Sequence, residues 1–156
     1  MEIVFDEQAT QKLRVHHDTK EGQVIPQGDV YLHVLSGRTD PAEIEADRAD
    51  LVRRILQAGA WTDFRLGKLG EVTNELQLVQ GTTRGSRHSI RQEDASAVTI
   101  YKPASDAHPL EGPVIVAHER VDLVHPDHAP HSLPAGTYQV IHQRDWASEE
   151  ARRVQD

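Results

Sequence analysis

The chain of 156 residues contains no cysteine, and only 4% of its residues are aromatic. The absence of cysteine excludes disulfides, thiolate metal sites and cysteine nucleophiles, and it fits a reducing compartment. Because aromatic residues are few, we expect an aliphatic core. No apolar run approaches the roughly 20 residues of a membrane helix, and the N-terminus lacks a secretory pattern. These absences predict a soluble protein that is cytoplasmic or assembled into a particle.

An excess of positive charge is also missing. The chain has 25 acidic and 17 basic residues, which gives a formal net charge of −8. A field of that sign repels polyanions, so bulk charge disfavours nucleic-acid binding. The ten histidines are the abundant titratable groups. If exposed and clustered, they would gain charge between about pH 7 and pH 5 and make association sensitive to pH.

The length indicates one domain over residues 1–156, with residues 1–22 as an arm or edge strand and residues 148–156 as a tail. One helix is well marked, over about residues 41–58. Asp40 is suited to its N-cap and Gly59 to its end. Its apolar stripe comprises Ile44, Leu51, Val52 and Ile55, with the charges of Glu45, Asp47, Arg48 and Arg53 expected on the solvent face.

Strand patterns dominate the remaining chain. Alternating or continuous apolar residues bounded by Gly and Pro mark strands at 30–35, 71–80, 98–102, 114–124 and 137–146, and Met1 to Phe5 could form another. We therefore expect a mainly β fold, an antiparallel sandwich, roll or barrel, with one amphipathic helix.

Histidines concentrate between residues 118 and 142, and His125, His128 and His131 fall within seven residues. Imidazole is a good ligand for zinc and similar cations, so these three histidines are the candidate metal site. Pro126 and Pro130 exclude a helix that would align them. The alternative is an ordered surface loop over residues 125–136, which would join two neighbouring antiparallel strands and have a positive φ at Gly136.

A second candidate is the basic loop containing Arg84, Gly85, Arg87 and Arg91. Glycine lets backbone amides approach an anion, and arginine binds phosphate or carboxylate in a bidentate manner. The loop lacks a Walker sequence and the aromatic residues that stack on bases. A charged β-turn is the simpler interpretation.

Acid–base chemistry has one weak candidate, the pair His118 and His142. They would lie near each other if their strands paired and both side chains faced inward. A histidine in such a position is more often a hydrogen-bonded core residue. No nucleophile elbow, zinc-protease motif or dinucleotide fingerprint occurs, so we assign no catalytic residue.

Several short motifs in residues 27–146 resemble a family of small uncharacterised proteins from phages, prophages and bacterial genomes. They are Gln27-Gly28-Asp29-Val30, Gly85-Ser86-Arg87-His88, Gly112-Pro113, His125-Pro126-Asp127-His128, Leu133-Pro134-Ala135-Gly136-Thr137-Tyr138 and Gln143-Arg144-Asp145. The resemblance implies one folded module and no particular activity. A weaker similarity links the chain to cupins, which are β-barrels with histidine-bound metals, but the cupin His-x-His segment is missing.

These patterns favour a non-enzymatic assembly or interaction subunit, of a phage or mobile-element particle, that binds a protein partner or itself. Potential edge strands invite such contacts. The alternatives are a cupin-like metalloprotein with a divalent metal bound by histidines, and a binder of small anions or nucleic-acid strands through the loop at 82–91. No other cofactor is expected.

Overall fold

Two open β-sheets and one long helix form three layers in the computed structural model, which describes residues 12–59 and 61–143. The elements are β1 (Arg14–Val15), β2 (Val24–Gln27), β3 (Val30–Val34), α1 (Pro41–Gln57), β4 (Leu69–Thr73), β5 (Ser89–Ile90), β6 (Val98–Pro103), β7 (Glu111–Ala117), β8 (Val121–Val124), β9 (His131–Leu133) and β10 (Gly136–His142), with 3-10 turns at Arg84–Ser86 and Gln92–Ala97. The mainly β class with one long helix is confirmed. The strand expected at residues 1–5 and the tail at 148–156 lie outside the described residues.

The larger sheet has six antiparallel strands in the order β2-β3-β10-β7-β6-β4. The smaller sheet has four strands in the order β1-β9-β8-β5, and in it β1 runs parallel to β9. The two sheets are open rather than closed into a barrel. The sandwich thus has strand edges at both ends of each sheet.

The central strand β7 is buried along its whole length because both of its faces are covered. On one face Ile115 packs in a core cluster with Leu123 and Leu133 of the smaller sheet. On the other face Val114 and Val116 pack in a second cluster with residues of α1. Two apolar cores therefore share one sheet.

Helix α1 agrees closely with the sequence expectation. It covers Pro41–Gln57, and Ile44 and Leu51 of the predicted stripe are buried. Asp40 precedes the helix as expected, although its side chain makes no capping hydrogen bond. Gly59 ends the turn with a φ of +83°. Within the described residues, no helix is long and apolar enough to cross a membrane.

The expected solvent face of α1 was partly wrong, because Asp47 and Arg48 are buried. Arg48 Nη2 donates to Glu111 Oε2 at 2.5 Å, and its Nε donates to Gln139 Oε1 at 2.8 Å. Asp47 accepts a hydrogen bond from Ser36 Oγ at 2.5 Å. Polar groups on the covered sheet face need partners once water is excluded. Arg48 supplies those partners, so the helix buries charge as well as its apolar stripe.

Two predicted strands are each broken in the structure. The run at 114–124 turns at residues 118–120, so that β7 and β8 belong to different sheets. The run at 71–80 ends as a strand at Thr73, and Val72 is exposed while Leu78 is buried. An apolar run gives no signal for the point at which a chain crosses from one sheet to the other.

We expect that Arg48→Met lowers the free energy of unfolding by about 3–5 kcal/mol, because it leaves the carboxylate of Glu111 buried without its counter-charge. Urea denaturation measures the change. Arg53→Met is the matched control. It removes an exposed ion pair with Asp50 and should cost less than about 1 kcal/mol. The double variant Arg48→Met/Glu111→Leu should recover much of the loss. Equal effects of the two single arginine variants would contradict this interpretation.

Candidate functional site

Two polar features meet at one end of the sandwich, beside the turn between β2 and β3. The first, the histidine cluster, comprises His88, His125 and His128. The ring centroids of His125 lie 4.2 Å from His88 and 4.6 Å from His128. The second, the cationic cavity, lies between β2 and the β1–β9 edge.

His88 is fully buried, and each of its ring nitrogens faces an oxygen. Nδ1 lies 2.8 Å from Gln27 Oε1, and Nε2 lies 2.9 Å from Asp29 Oδ1. The amide nitrogen of Gln27 donates to the carbonyls of Leu123 and Ala129, which leaves Gln27 Oε1 as an acceptor. Gln27 Oε1 can only accept, so Nδ1 of His88 donates to it, and Nε2 lies against the carboxylate of Asp29.

The pKa of the Asp29 carboxyl is subject to opposing effects. Burial raises this pKa, but the hydrogen bond and positive charge of His88 lower it, and the net shift of the pKa is downward. Asp29 belongs to the turn of the larger sheet, whereas His88 directly precedes β5 of the smaller sheet. The contact between His88 and Asp29 therefore ties the two sheets together at this end.

The other two histidines of the cluster differ in exposure. His125 is buried. Its Nδ1 accepts a hydrogen bond from the backbone N–H of Asp127 at 3.0 Å, and its Nε2 faces the carbonyl of Gly85 at 3.3 Å. Burial, and then the positive charge of His88, lower the pKa of His125. The exposed His128 lies over Gly28, which has a φ of +57° and where a Cβ atom would come 2.4 Å from His128 Nε2.

The cationic cavity has a volume of about 390 Å³. Its polar wall brings His16 Nε2 within 2.9 Å of His131 Nδ1, with the two ring planes 14° apart. The described residues that line it are Arg14, His16, Gln23, Val24, Ile25, Pro26, Gly28, His128, Ala129 and His131. The cavity thus combines basic and imidazole groups with apolar residues of β2.

The structure divides the three histidines that were predicted to bind metal. His125 and His128 lie with His88, whereas His131 contacts His16. Among residues 12–59 and 61–143, no three possible ligands are grouped so that they could hold one metal ion. Metal binding by His125, His128 and His131 stays a prediction, and it would require their side chains to rearrange.

The expected surface loop at 125–136 was wrong in three respects. It contains β9, and its flanking strands β8 and β10 lie in different sheets. His125 and His131 are buried, so the segment does not project as a docking loop. Gly136 is not among the glycines with positive φ. The segment crosses from one sheet to the other and contributes to the core on its way.

The arginines of the predicted anion loop face protein oxygens. Arg84 Nε lies 2.5 Å from Asp127 Oδ1, and Arg91 Nη2 lies 3.1 Å from Asp122 Oδ2. Arg87 Nη2 lies 3.4 Å from the carbonyl of Thr82. Anion binding by Arg84, Gly85, Arg87 and Arg91 stays a prediction, in which an anion would compete with two carboxylates.

His118 and His142 do not face each other. Because Ala117 pairs with Gly136 and Glu111 pairs with Ile141, they lie at opposite ends of the β7–β10 ladder. His118 is exposed and hydrogen-bonded to Thr99, whereas His142 is buried.

Sequence reasoning missed the partners of these histidines. Gln27 and Asp29 were noted only as part of a family motif, and Arg14 and His16 only as part of the arm or edge strand at residues 1–22. One signal was present for the turn, because a two-residue Gly-Asp connection between apolar runs is typical of a β-hairpin. The positive φ of Gly28 agrees with it. No local signal marked the contact of His16 with His131.

A family model for a domain of unknown function, DUF8820, matches residues 26–143. The chain belongs to this family. Searches of curated proteins and of solved structures gave no match. The matched part of the DUF8820 domain contains the whole histidine cluster with Gln27 and Asp29, whereas Arg14 and His16 of the cationic cavity precede it.

Three other histidines of the DUF8820 domain are poor proton acceptors. Burial, with smaller contributions from nearby positive groups, lowers the pKa of His33 and of His131 to about 4. Burial also lowers the pKa of His142 to about 4, although the charge of Asp29 opposes that shift. The protonation expected between pH 7 and pH 5 therefore moves to lower pH at these three positions.

We expect that Gly28→Ala lowers the free energy of unfolding by more than Gly37→Ala. Both residues have positive φ, which costs roughly 1–2 kcal/mol for alanine. At Gly37 nothing lies within 4 Å of the added Cβ, whereas at Gly28 the atom displaces His128. Chemical denaturation measures both losses. In a His128→Ala background, the additional loss of stability at Gly28 relative to Gly37 should vanish. Equal losses at Gly28 and Gly37 in the wild-type background would contradict the packing of His128 on Gly28.

We expect the free energy of unfolding to be constant between about pH 7 and pH 9 and to fall between about pH 6.5 and pH 4. The unfolded state takes up protons near the ordinary histidine pKa of about 6.5, whereas folded His33, His131 and His142 resist protonation until about pH 4. Urea denaturation at several pH values tests this.

His142→Gln should reduce that slope, and His118→Gln, at an exposed position, should leave it unchanged. A flat profile down to pH 4.5 would show that the buried histidines do not control stability. The carboxyl of Asp29, whose pKa is lowered, loses its own contribution only below that window.

Proposed function

We propose that this domain is a non-enzymatic assembly subunit that pairs with a second copy of itself along the edge of β4. The particle would be that of a phage or mobile element, since the sequence resembles a family found in phages, prophages and bacterial genomes, and it would assemble in the cytoplasm. The observation that carries the proposal is the apolar side chain of Val72 on this edge strand, with 58% of its surface exposed.

The edge of β4 offers both backbone groups and apolar surface. Within the described residues β4 pairs only with β6, so the outer side of its backbone can accept another strand. Val72 is opposite Tyr101 of β6, which is partly buried against the core of α1. An added strand would extend this apolar surface while it completed hydrogen bonds, which is the usual mode of β-augmentation.

The other edges of the two sheets are less suitable. The edge strand β2 contains Pro26, which has no backbone N–H to donate. The edge strands β1 and β5 of the smaller sheet have only two residues each. β4 has five residues and no proline. Among the described edges it is therefore the best template for a further strand.

A two-fold axis through β4 gives a self-complementary contact. In an antiparallel pair with Val72 opposite Val72 of the second copy, Glu71 would lie opposite Thr73 rather than opposite another carboxylate. Such an arrangement avoids like charges and places apolar groups together. The two larger sheets would then form one continuous sheet.

The buried polar groups support a structural role. Arg48 and Glu111 hold α1 against the larger sheet, and His88 and Asp29 join the two sheets. Each of these four groups contacts a side chain of a different element, which is a structural arrangement.

Val72→Lys should weaken self-association at least about tenfold, because it places a desolvated charge at the centre of the contact. Sedimentation velocity over a range of concentrations up to about 100 μM, where contacts of modest area are detectable, measures it. Leu56→Lys is the matched control. Leu56 is also an exposed apolar residue, but it lies in α1, where the backbone offers no strand edge for pairing. A wild-type protein that is monomeric throughout, or equal effects of the two variants, would contradict the proposal.

A further inference from the structure

We infer that the cationic cavity binds a small organic monocarboxylate, with its carboxylate at Arg14 and His16 and its apolar part on β2. This site is separate from the edge of β4. It also differs from the basic loop at 82–91, whose arginines face oxygens of the protein.

The charge of the cavity is opposite to that of the chain. Its described lining includes Arg14 and three histidines but no aspartate or glutamate, although the chain has a net charge of −8. An adjoining cavity shares Arg14 and His128 and adds Lys12, and its one carboxylate, Asp127, lies against Arg84. A local cationic concavity on an acidic protein concentrates the field where an anion would bind.

A second arginine fixes the wall of the cavity. Arg120 Nη1 donates to the carbonyl of His16 at 2.8 Å and to that of Ser132 at 3.2 Å, so it holds the chain after β1 against β9. Burial lowers the pKa of His16, and the positive charges of Arg120 and Arg14 lower it further. The wall therefore lies in a positive electrostatic field before any ligand is present. The negative charge of a bound carboxylate would offset that field.

A metal ion fits this wall less well than an anion does. The facing nitrogens of His16 and His131 are 2.9 Å apart and could both reach one cation after losing their shared hydrogen bond. However, Arg14 and Arg120 oppose a cation, and the described lining supplies no carboxylate to balance it. A single anionic group can instead pair with Arg14, is attracted by the nearby charge of Arg120, and accepts hydrogen bonds from imidazole.

The size and apolar lining of the cavity indicate an organic ligand. Its volume of about 390 Å³ exceeds the needs of an inorganic ion and falls among small-molecule sites. Val24, Ile25 and Pro26 are apolar residues of its lining, with Val24 exposed and Ile25 buried in the core. Arg14 is the one arginine in the described lining, and a single positive charge matches a monoanion better than a dianion. These features together favour a carboxylate on a short hydrocarbon chain.

Hexanoate, acetate and inorganic phosphate serve as probes for the full chain at pH 7. The Cε1–H resonances of His16, His128 and His131 report binding by NMR, and calorimetry gives the affinity. We expect saturable shifts with hexanoate, and binding about tenfold tighter than that of acetate because the added methylenes are partly buried. Tighter binding of phosphate than of hexanoate would overturn the inference.

The variant Arg14→Gln tests whether hexanoate binds at this site or is attracted only by the general charge of the protein surface. Arg14 is exposed, so its removal leaves the core intact. It should weaken hexanoate binding about tenfold. Arg53→Gln, which makes the same charge change on the exposed face of α1, should alter it less than about twofold. Equal weakening by both variants, or hexanoate shifts that do not saturate, would overturn the inference, as would zinc binding that excludes hexanoate from the same histidines.

Discussion

The burial of β7 and β10 on both faces is the constraint on which the remaining structure depends. A sheet covered on both sides requires two apolar cores, one against the smaller sheet and one against α1. The helix is too narrow to cover six strands by apolar contact alone. Arg48 donates hydrogen bonds to Glu111 and Gln139, which are polar side chains on the sheet face that the helix covers. These hydrogen bonds, together with apolar packing, therefore fix the position of the helix. The arrangement requires the charged pair of Arg48 and Glu111 to lose its hydration.

The same principle operates at the far end of the sandwich, where the two sheets meet. An apolar core between sheets is tolerant of sliding, because hydrophobic contacts are not directional. The bonds of His88 to Gln27 and Asp29 are directional and join residues of both sheets. Gln27 also holds the crossing segment through the carbonyl of Ala129. We infer that these directional bonds favour one register of turn, strand and crossover.

These two networks also explain which features the sequence could predict. The helix and the alternating strand β3 depend on local patterns, and both were predicted nearly to the residue. The turn at 118–120 and the burial of Arg48 depend on distant partners. His88 lies 61 positions from Gln27, and His16 lies 115 positions from His131. The histidines near residue 125 attracted attention because they are close in sequence, but the fold distributes them to different neighbours.

The two proposed surfaces lie on opposite edges of the larger sheet. The cationic cavity borders β2, whereas self-association is assigned to β4, with β3, β10, β7 and β6 between them. Proline in β2 and a ligand beside it would both discourage strand addition at that edge, which leaves β4 as the edge that can extend. Two of the strands between them, β7 and β10, are buried on both faces. Because neither proposed surface overlaps the other, a copy that holds a ligand beside β2 keeps the edge of β4 open for pairing.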